Sequence, residues 1–215
     1  MRVTDSVFLL ESARQPFLFE GREMRANVYA VLTEDGVVLI DSGFPGYAQQ
    51  LLTDLVDEGL SGRPLTHILL THADLDHIGS AADIQFATRC KVCLSPLELP
   101  ALRGETARLP AKQAMWDAIP VTLPKTTCYP DAVPDGFEIV PAPGHTPGHV
   151  CIVWRDILFP GDQCIIVDGE LRGPNPAWTQ DMDLALRSMA ALRGRKIRIV
   201  CPAHGEPLAI SEFIL

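Results

Sequence analysis

Long apolar runs are missing from the 215-residue sequence. A bilayer-spanning helix needs about 18 to 20 apolar residues in a row. The longest candidate here, Val37 to Ile40, is of strand length, so no membrane crossing is expected. The N-terminus, Met1-Arg2-Val3-Thr4-Asp5-Ser6, places an acidic residue early and offers only Val7 to Leu10 as an apolar stretch. That is too short for the core of a secretory leader, and a cytoplasmic protein is expected. Positive charge is also scarce: 18 Lys plus Arg stand against 27 Asp plus Glu, a net charge of −9, with no basic run. Attraction to a phosphate backbone is weak at that balance, and no nucleic-acid partner is expected. Cysteines are few, six in all, and mostly lie in apolar runs such as Cys151-Ile152-Val153-Trp154, which reads as buried thiols rather than a disulfide framework. Cys90-Lys91-Val92-Cys93 has metal-site spacing, but no second C-x-x-C or H-x-x-H pair accompanies it, and it reads as the start of a strand. What remains, 47% hydrophobic and 21% charged residues, is the balance of a folded globular chain.

Short strands come first: Ser6 to Leu10, Asn27 to Thr33 and Gly36 to Ile40, the last two joined by the hairpin turn Glu34-Asp35-Gly36. From Tyr47 to Leu60, Ala48, Leu51, Leu52, Leu55, Val56 and Leu60 recur at helical spacing and predict a helix with one buried face. Thr66 to Thr71 follows as a buried strand, then a polar loop and a short helix from about Gly79 to Thr88. Residues 95–134 are cut by Pro96, Pro100, Pro110, Pro120, Pro124, Pro130 and Pro134 into an irregular cap, with a helix expected from Ala111 to Ala118. Strands are expected again at Phe137 to Val140, His149 to Trp154, Ile157 to Phe159 and Ile197 to Cys201. A helix from about Met182 to Arg193 precedes the last of them, with Met182, Ala185, Leu186, Met189 and Leu192 on one face. Each half thus gives strands, a helix and a further strand. The α/β class expected from this is a four-layer αββα sandwich of two mixed sheets flanked by helices, one domain over residues 1–215.

Potential metal donors gather at strand ends. After the Thr66 to Thr71 strand comes His72-Ala73-Asp74-Leu75-Asp76-His77, four oxygen or imidazole donors in six residues. Read alone, that loop is either a metal site or a hydrogen-bonded acidic turn. Pro143-Gly144-His145-Thr146-Pro147-Gly148-His149 sets imidazoles on a stiff support, Pro160-Gly161-Asp162 follows the Ile157 to Phe159 strand, and Pro202-Ala203-His204-Gly205 follows the closing strand. A single strand-end histidine is more often a surface residue. Four such loops holding five of the six histidines favour one converging centre.

The ordered set H-x-D-x-D-H, P-G-H-T-P-G-H, G-D and P-A-H-G, together with Leu39-Ile40-Asp41-Ser42-Gly43, closely resembles the metallo-β-lactamase superfamily from about Asn27 to Gly205. The resemblance implies the fold of that family and a dinuclear site. One metal would be held by His72, Asp74 and His145 and a second by Asp76, His77 and His204, with Asp162 bridging both. Asp41 would orient a ligand, His149 would support the site, and His67, which matches no motif, reads as structural. It also implies a hydrolase that cleaves an ester, thioester, lactone or similar acyl bond of a small molecule through a metal-bound hydroxide, with Asp76 and Asp162 as the catalytic carboxylates. No G-x-S-x-G elbow competes.

Two other readings stay open on the same fold: an iron-dependent redox enzyme acting on O₂ or a persulfide, and a non-catalytic metal-binding module. A glyoxalase II would add a C-terminal helical domain, whereas this chain ends ten residues after Gly205. Most members of the family carry His where this chain has Asp74. With two divalent ions, a hydroxide and three ionised aspartates, the centre then counts as neutral, one unit less positive than the usual pattern. Zinc is the expected metal, with manganese or iron brought closer by that lost charge. The mouth is expected to be built from Pro16 to Asn27 and from Trp116, Tyr129 and Trp178, while substrate identity and oligomeric state stay open.

Overall fold

A computed structural model of the chain describes residues 1–213. Its first half runs β1 (Val7–Leu9), β2 (Phe17–Phe19), β3 (Arg22–Met24), β4 (Tyr29–Leu32), β5 (Val37–Ile40), α1 (Ala48–Asp57), β6 (Leu65–Leu69), α2 (Leu75–Ile78), α3 (Ala81–Thr88), β7 (Lys91–Leu94), α4 (Leu99–Leu102), α5 (Pro110–Ala118) and β8 (Thr126–Cys128). The second half adds β9 (Phe137–Pro141), β10 (Val150–Trp154), β11 (Ile157–Phe159), β12 (Ile165–Val167), β13 (Glu170–Arg172), α6 (Met182–Ser188), β14 (Ile199–Val200) and β15 (Leu208–Ala209).

Two mixed sheets result, in the orders β1-β4-β5-β6-β7-β8 and β15-β14-β11-β10-β9. Strands buried on both faces read as continuous apolar runs, as Val37-Val38-Leu39-Ile40 and Val150-Cys151-Ile152-Val153-Trp154 do. Alternate residues of those runs feed different cores. Val38, Ile40 and Leu69 meet Ile152, Trp154 and Phe159 between the sheets. Leu39, Ile68 and Val92 turn outward onto Leu51, Leu55 and Ile84 of α1 and α3. Cys151, Leu158 and Val200 face Met189 and Leu192 on the opposite outer side. The layers are therefore helix, sheet, sheet, helix, the metallo-β-lactamase fold.

The Thr33 to Gly36 turn closes as expected, Thr33 N–H donating to Gly36 O at 2.8 Å. Val56 and Leu186 do not join the buried faces expected of them; they are 56% and 51% exposed. The packed line of α1 is Ala48, Leu51 and Leu55, and Val56 lies one step past it. The expected helix to Arg193 ends at Ser188 and tightens into a 3₁₀ turn over Met189–Leu192. The irregular segment contributes more than a cap, because β8 pairs parallel with β7 and completes the larger sheet. The hairpins β2–β3 and β12–β13 lack apolar alternation. Their signal is the turn: Glu20-Gly21 and Asp168-Gly169 have φ of 48° and 75°, and 53° and 76°.

All six cysteines are free; five are buried and Cys128 is partly so. Burial pushes the Cys93 thiol up to about 11, away from redox reactivity. Among the described residues no helix is long and apolar enough to cross a membrane.

Candidate metal centre

Five loops meet at one edge of the sandwich, where the strands stop. Their backbones are tied across the two sheets by Val150 N–H to Thr71 O at 2.9 Å and Asn27 N–H to Ala203 O at 2.7 Å. The structure brings His72, Asp74, Asp76, His77, His145, Asp162 and His204 around one centre. His72, Asp74 and His145 form one set of mutually close ligand atoms, Asp76, His77 and His204 another, and His72, His77 and Asp162 a third that joins them. Asp162 Oδ1 lies 3.2 Å from both His77 Nε2 and His204 Nε2, and its Oδ2 lies 3.2 Å from His145 Nε2.

The four imidazoles share one orientation because each Nδ1 has an outside partner. Asp41 Oδ2 accepts from His77 Nδ1 at 2.8 Å, and Arg25 O accepts from His204 Nδ1 at 2.7 Å. The Thr71 hydroxyl donates to Asp41 and so accepts from His72 Nδ1 at 3.1 Å. The Thr179 hydroxyl donates to Asn175 O and so accepts from His145 Nδ1 at 3.2 Å. All four Nε2 atoms therefore face the centre with lone pairs. Asp41 itself sits at φ 61°, a left-handed conformation that Asp tolerates, with Oδ1 accepting the Thr71 N–H at 2.8 Å.

His67 lies on β6, away from the centre, as the sequence implies. His149 is not in the donor ring. Its Nε2 accepts the Asp162 N–H at 3.1 Å, holding the carboxylate's backbone in place, and burial keeps its imidazole well below the usual range. That contact needs Gly161, where a Cβ would come within 2.7 Å of His149 Nε2 and Thr71 Oγ1 and where φ is 55°. Gly79, at the start of the expected helix, has a helical φ of −58°, and its hydrogen side chain leaves room for Pro45.

The centre fits a divalent metal on its own evidence. His72 Nε2, His77 Nε2 and Asp162 Oδ1 are buried without a hydrogen-bond partner, which costs free energy unless a cation meets them. Burial opposes charge here and prevails at His145, but at His77 and His204 the neighbouring carboxylates dominate. Against burial, Asp76, Asp41 and Asp162 hold His77 well above its usual range. Against partial burial, Asp162 and Asp76 raise His204 to about 9. A cluster that draws protons onto imidazoles this way is one that calls for positive charge.

Two residues of the site were not singled out from the sequence. Lys112 of α5 is 4% exposed, and its ammonium pairs with Asp74 Oδ2. Burial works against the Asp74 charge, but Lys112 foremost and His72 after it hold this carboxyl well below the usual range. Lys112 thus sets a unit of positive charge beside the carboxylate that stands where an imidazole is usual. A lysine in the helical stripe Lys112, Met115 and Trp116 was the available signal. Glu98, 2% exposed, accepts from Ala73 N–H at 3.0 Å, Gly148 N–H at 2.7 Å and Thr146 Oγ1 at 2.6 Å. It cross-links the two histidine loops, and no sequence pattern marks it.

Asp41→Asn is expected to weaken metal binding by about 10 to 100-fold, because the amide offers His77 Nδ1 a donor as readily as an acceptor and loosens its tautomer. Competition with a chromophoric chelator measures this, and unchanged affinity would remove Asp41 from the role.

The family profile described as "Metallo-beta-lactamase superfamily" matches residues 21–204. The "Probable metallo-hydrolase YflN" of Bacillus subtilis is 27% identical over 220 aligned residues, covering 87% of this chain and 83% of that protein. A hydroxyacylglutathione hydrolase of Xanthomonas campestris is 30% identical over 87% of this chain and 64% of its own length. Among solved structures, TTHA1623 in a di-iron-bound form superposes with a TM-score of 0.67 and 28% identity, covering 90% of this chain and 93% of that one.

Proposed function

The chain belongs to the metallo-beta-lactamase superfamily, and from that premise we propose that it is a metal-dependent hydrolase of a small-molecule ester, thioester or lactone. The observation that carries this reading is the ring of inward-facing Nε2 and carboxylate atoms, of which Asp74, Asp76, Asp162 and His204 line a cavity of ≈ 210 Å³. His72, Asp74, Asp76, His77, His145, Asp162 and His204 would hold the metal. Bound divalent metal supplies Lewis acidity toward a carbonyl and lowers the pKa of water toward neutrality.

The chain's own residues account for the remaining needs. Asp76 and Asp162 line the cavity and accept the proton of an attacking water at their carboxylate oxygens. Leu75, Met115, Trp116, Ile165 and Trp178 form apolar walls that desolvate the acyl chain, with α5 supplying Lys112, Met115 and Trp116 to the lining. The β2–β3 hairpin contributes at its end, since Met24 and Arg25 reach the rim. Tyr129 does not belong to the mouth; its hydroxyl donates to Leu70 O at 3.1 Å, behind the site. The relative named a hydroxyacylglutathione hydrolase supports an acyl bond as the target.

A panel of aryl esters, thioesters and lactones, assayed after loading with zinc or manganese, tests the proposal. Turnover that is lost on chelation and restored by metal is expected; a metal-loaded protein inert across the panel overturns it. Trp178→Ala is expected to raise KM about tenfold with kcat little changed, the mark of lost apolar binding. Saturation kinetics read that split. A redox reading has one observation behind it, the di-iron form of TTHA1623. Turnover of the panel under argon by the zinc-loaded protein decides against it.

A further inference from the structure

The two halves of the centre differ in one respect: one of them already contains a cation. Lys112 Nζ pairs with Asp74 Oδ2 and lies 2.9 Å from His145 Nε2. With His145 Nδ1–H given to the Thr179 hydroxyl, Nε2 accepts from the ammonium. Two of the three donor atoms in the His72, Asp74 and His145 set thus direct lone pairs at a lysine. In the other set, Asp76 pairs with His77 and His204 at 3.6 and 3.5 Å, and the bridging Asp162 pairs with histidines. No lysine or arginine reaches either carboxylate among the described residues.

We propose that the Lys112 ammonium takes the place of one of the two cations, in the His72, Asp74 and His145 set, so that this chain holds a single divalent ion tightly, in the Asp76, His77 and His204 set with Asp162. This rests on the metal-hydrolase reading above. With water rather than hydroxide on the ion, the charges close on it: Asp74, Asp76 and Asp162 carry three negative charges, and one divalent ion with one ammonium carries three positive. Asp at position 74 is then explained as well. An imidazole there would leave a buried ammonium without a counter-ion, whereas the carboxylate neutralises it where water is scarce. A second divalent ion must first expel Lys112 from its buried pair, which weakens that ion relative to the first by about 10² to 10³-fold.

The test is metal stoichiometry, read without any assay of activity. Wild type, Lys112→Met and Lys112→Gln are prepared metal-free, checked for folding by circular dichroism, titrated with Zn²⁺ against a competing chelator, and analysed by inductively coupled plasma mass spectrometry. Wild type is expected to hold one tight equivalent. Lys112→Met is expected to hold two, with the gap between them closing to less than about tenfold. Should Lys112→Met not fold, Lys112→Gln carries the comparison, its amide keeping a donor to Asp74 without the charge. Two equivalents of equal affinity in wild type overturn the proposal and leave the hydrolase reading intact. One equivalent in a folded Lys112 variant also overturns it, since something other than the lysine then blocks the second ion. No tight ion in wild type overturns the metal reading, and the proposal with it.

Discussion

Removing metal with a chelator is expected to lower the melting temperature by about 8 to 16 °C, and Asp162→Ala is expected to abolish that dependence while cutting turnover about 10³-fold. An ion that binds only the folded state at a thousand times its Kd adds about 4 kcal/mol of stability. For a domain of this size each kcal/mol moves the midpoint by about 2 to 4 °C. The unfolded chain cannot reproduce the site, because its donors come from four separate loops. Asp162 is the residue on which both halves depend, with oxygens 3.2 Å from Nε2 of His77, His204 and His145. Losing it removes a shared ligand and one of the two carboxylates placed to take the proton of water, which accounts for the kinetic loss. Differential scanning calorimetry with and without chelator measures the first effect. A midpoint that ignores metal in the wild type would sink the account of the centre.

Glu98→Ala is expected to destabilise the fold by about 3 to 5 kcal/mol and to lower activity about 10 to 100-fold, although Glu98 points at no substrate. Its carboxyl group accepts hydrogen bonds from Ala73, Thr146 and Gly148, so truncation strands two buried N–H groups and a hydroxyl. Ala73 lies between His72 and Asp74, and Thr146 follows His145, so freeing these loops lets donors from both sides of the centre drift. Gly148 lets the loop pack this tightly on Glu98, since a Cβ there would come within 2.7 Å of Glu98 Oε1. Glu98→Gln separates the two consequences. Its carbonyl still serves Thr146 and Gly148 while its NH₂ opposes the Ala73 N–H, so a smaller loss is expected, about 1 to 3 kcal/mol. Chemical denaturation orders the three proteins, and equal stability of wild type and Glu98→Ala would show that the cross-link is idle.

Several parts of this protein are legible in one dimension for a mechanical reason. Apolar runs of strand length such as Val37 to Ile40 have nowhere to go but a buried sheet, and the chain must turn at their ends, with Pro143-Gly144, Pro160-Gly161 and Pro202 marking three of those turns. His72 to His77, His145, Asp162 and His204 stand at those turns, so the strand ends that build the sheets also deliver the donors. Short hairpins and β8 escaped notice because three residues carry no period, and Val56 and Leu186 misled because a helical stripe is wider in a sequence than in a packed interface.

The donor set, its order along the chain and the family it resembles follow from the sequence by itself, since metal chemistry admits few side chains and each here sits at a marked strand end. Lys112 and Glu98 were decided only by the tertiary structure. Both are charged residues from the proline-broken segment, where local propensity says nothing of direction, and both are buried because the folded sandwich sets an opposite charge or a group of unpaired donors within their reach. The occupancy proposed for the centre turns on that placement: an aspartate where histidine is usual is a lost charge in the sequence, and an ion pair with Lys112 in the fold.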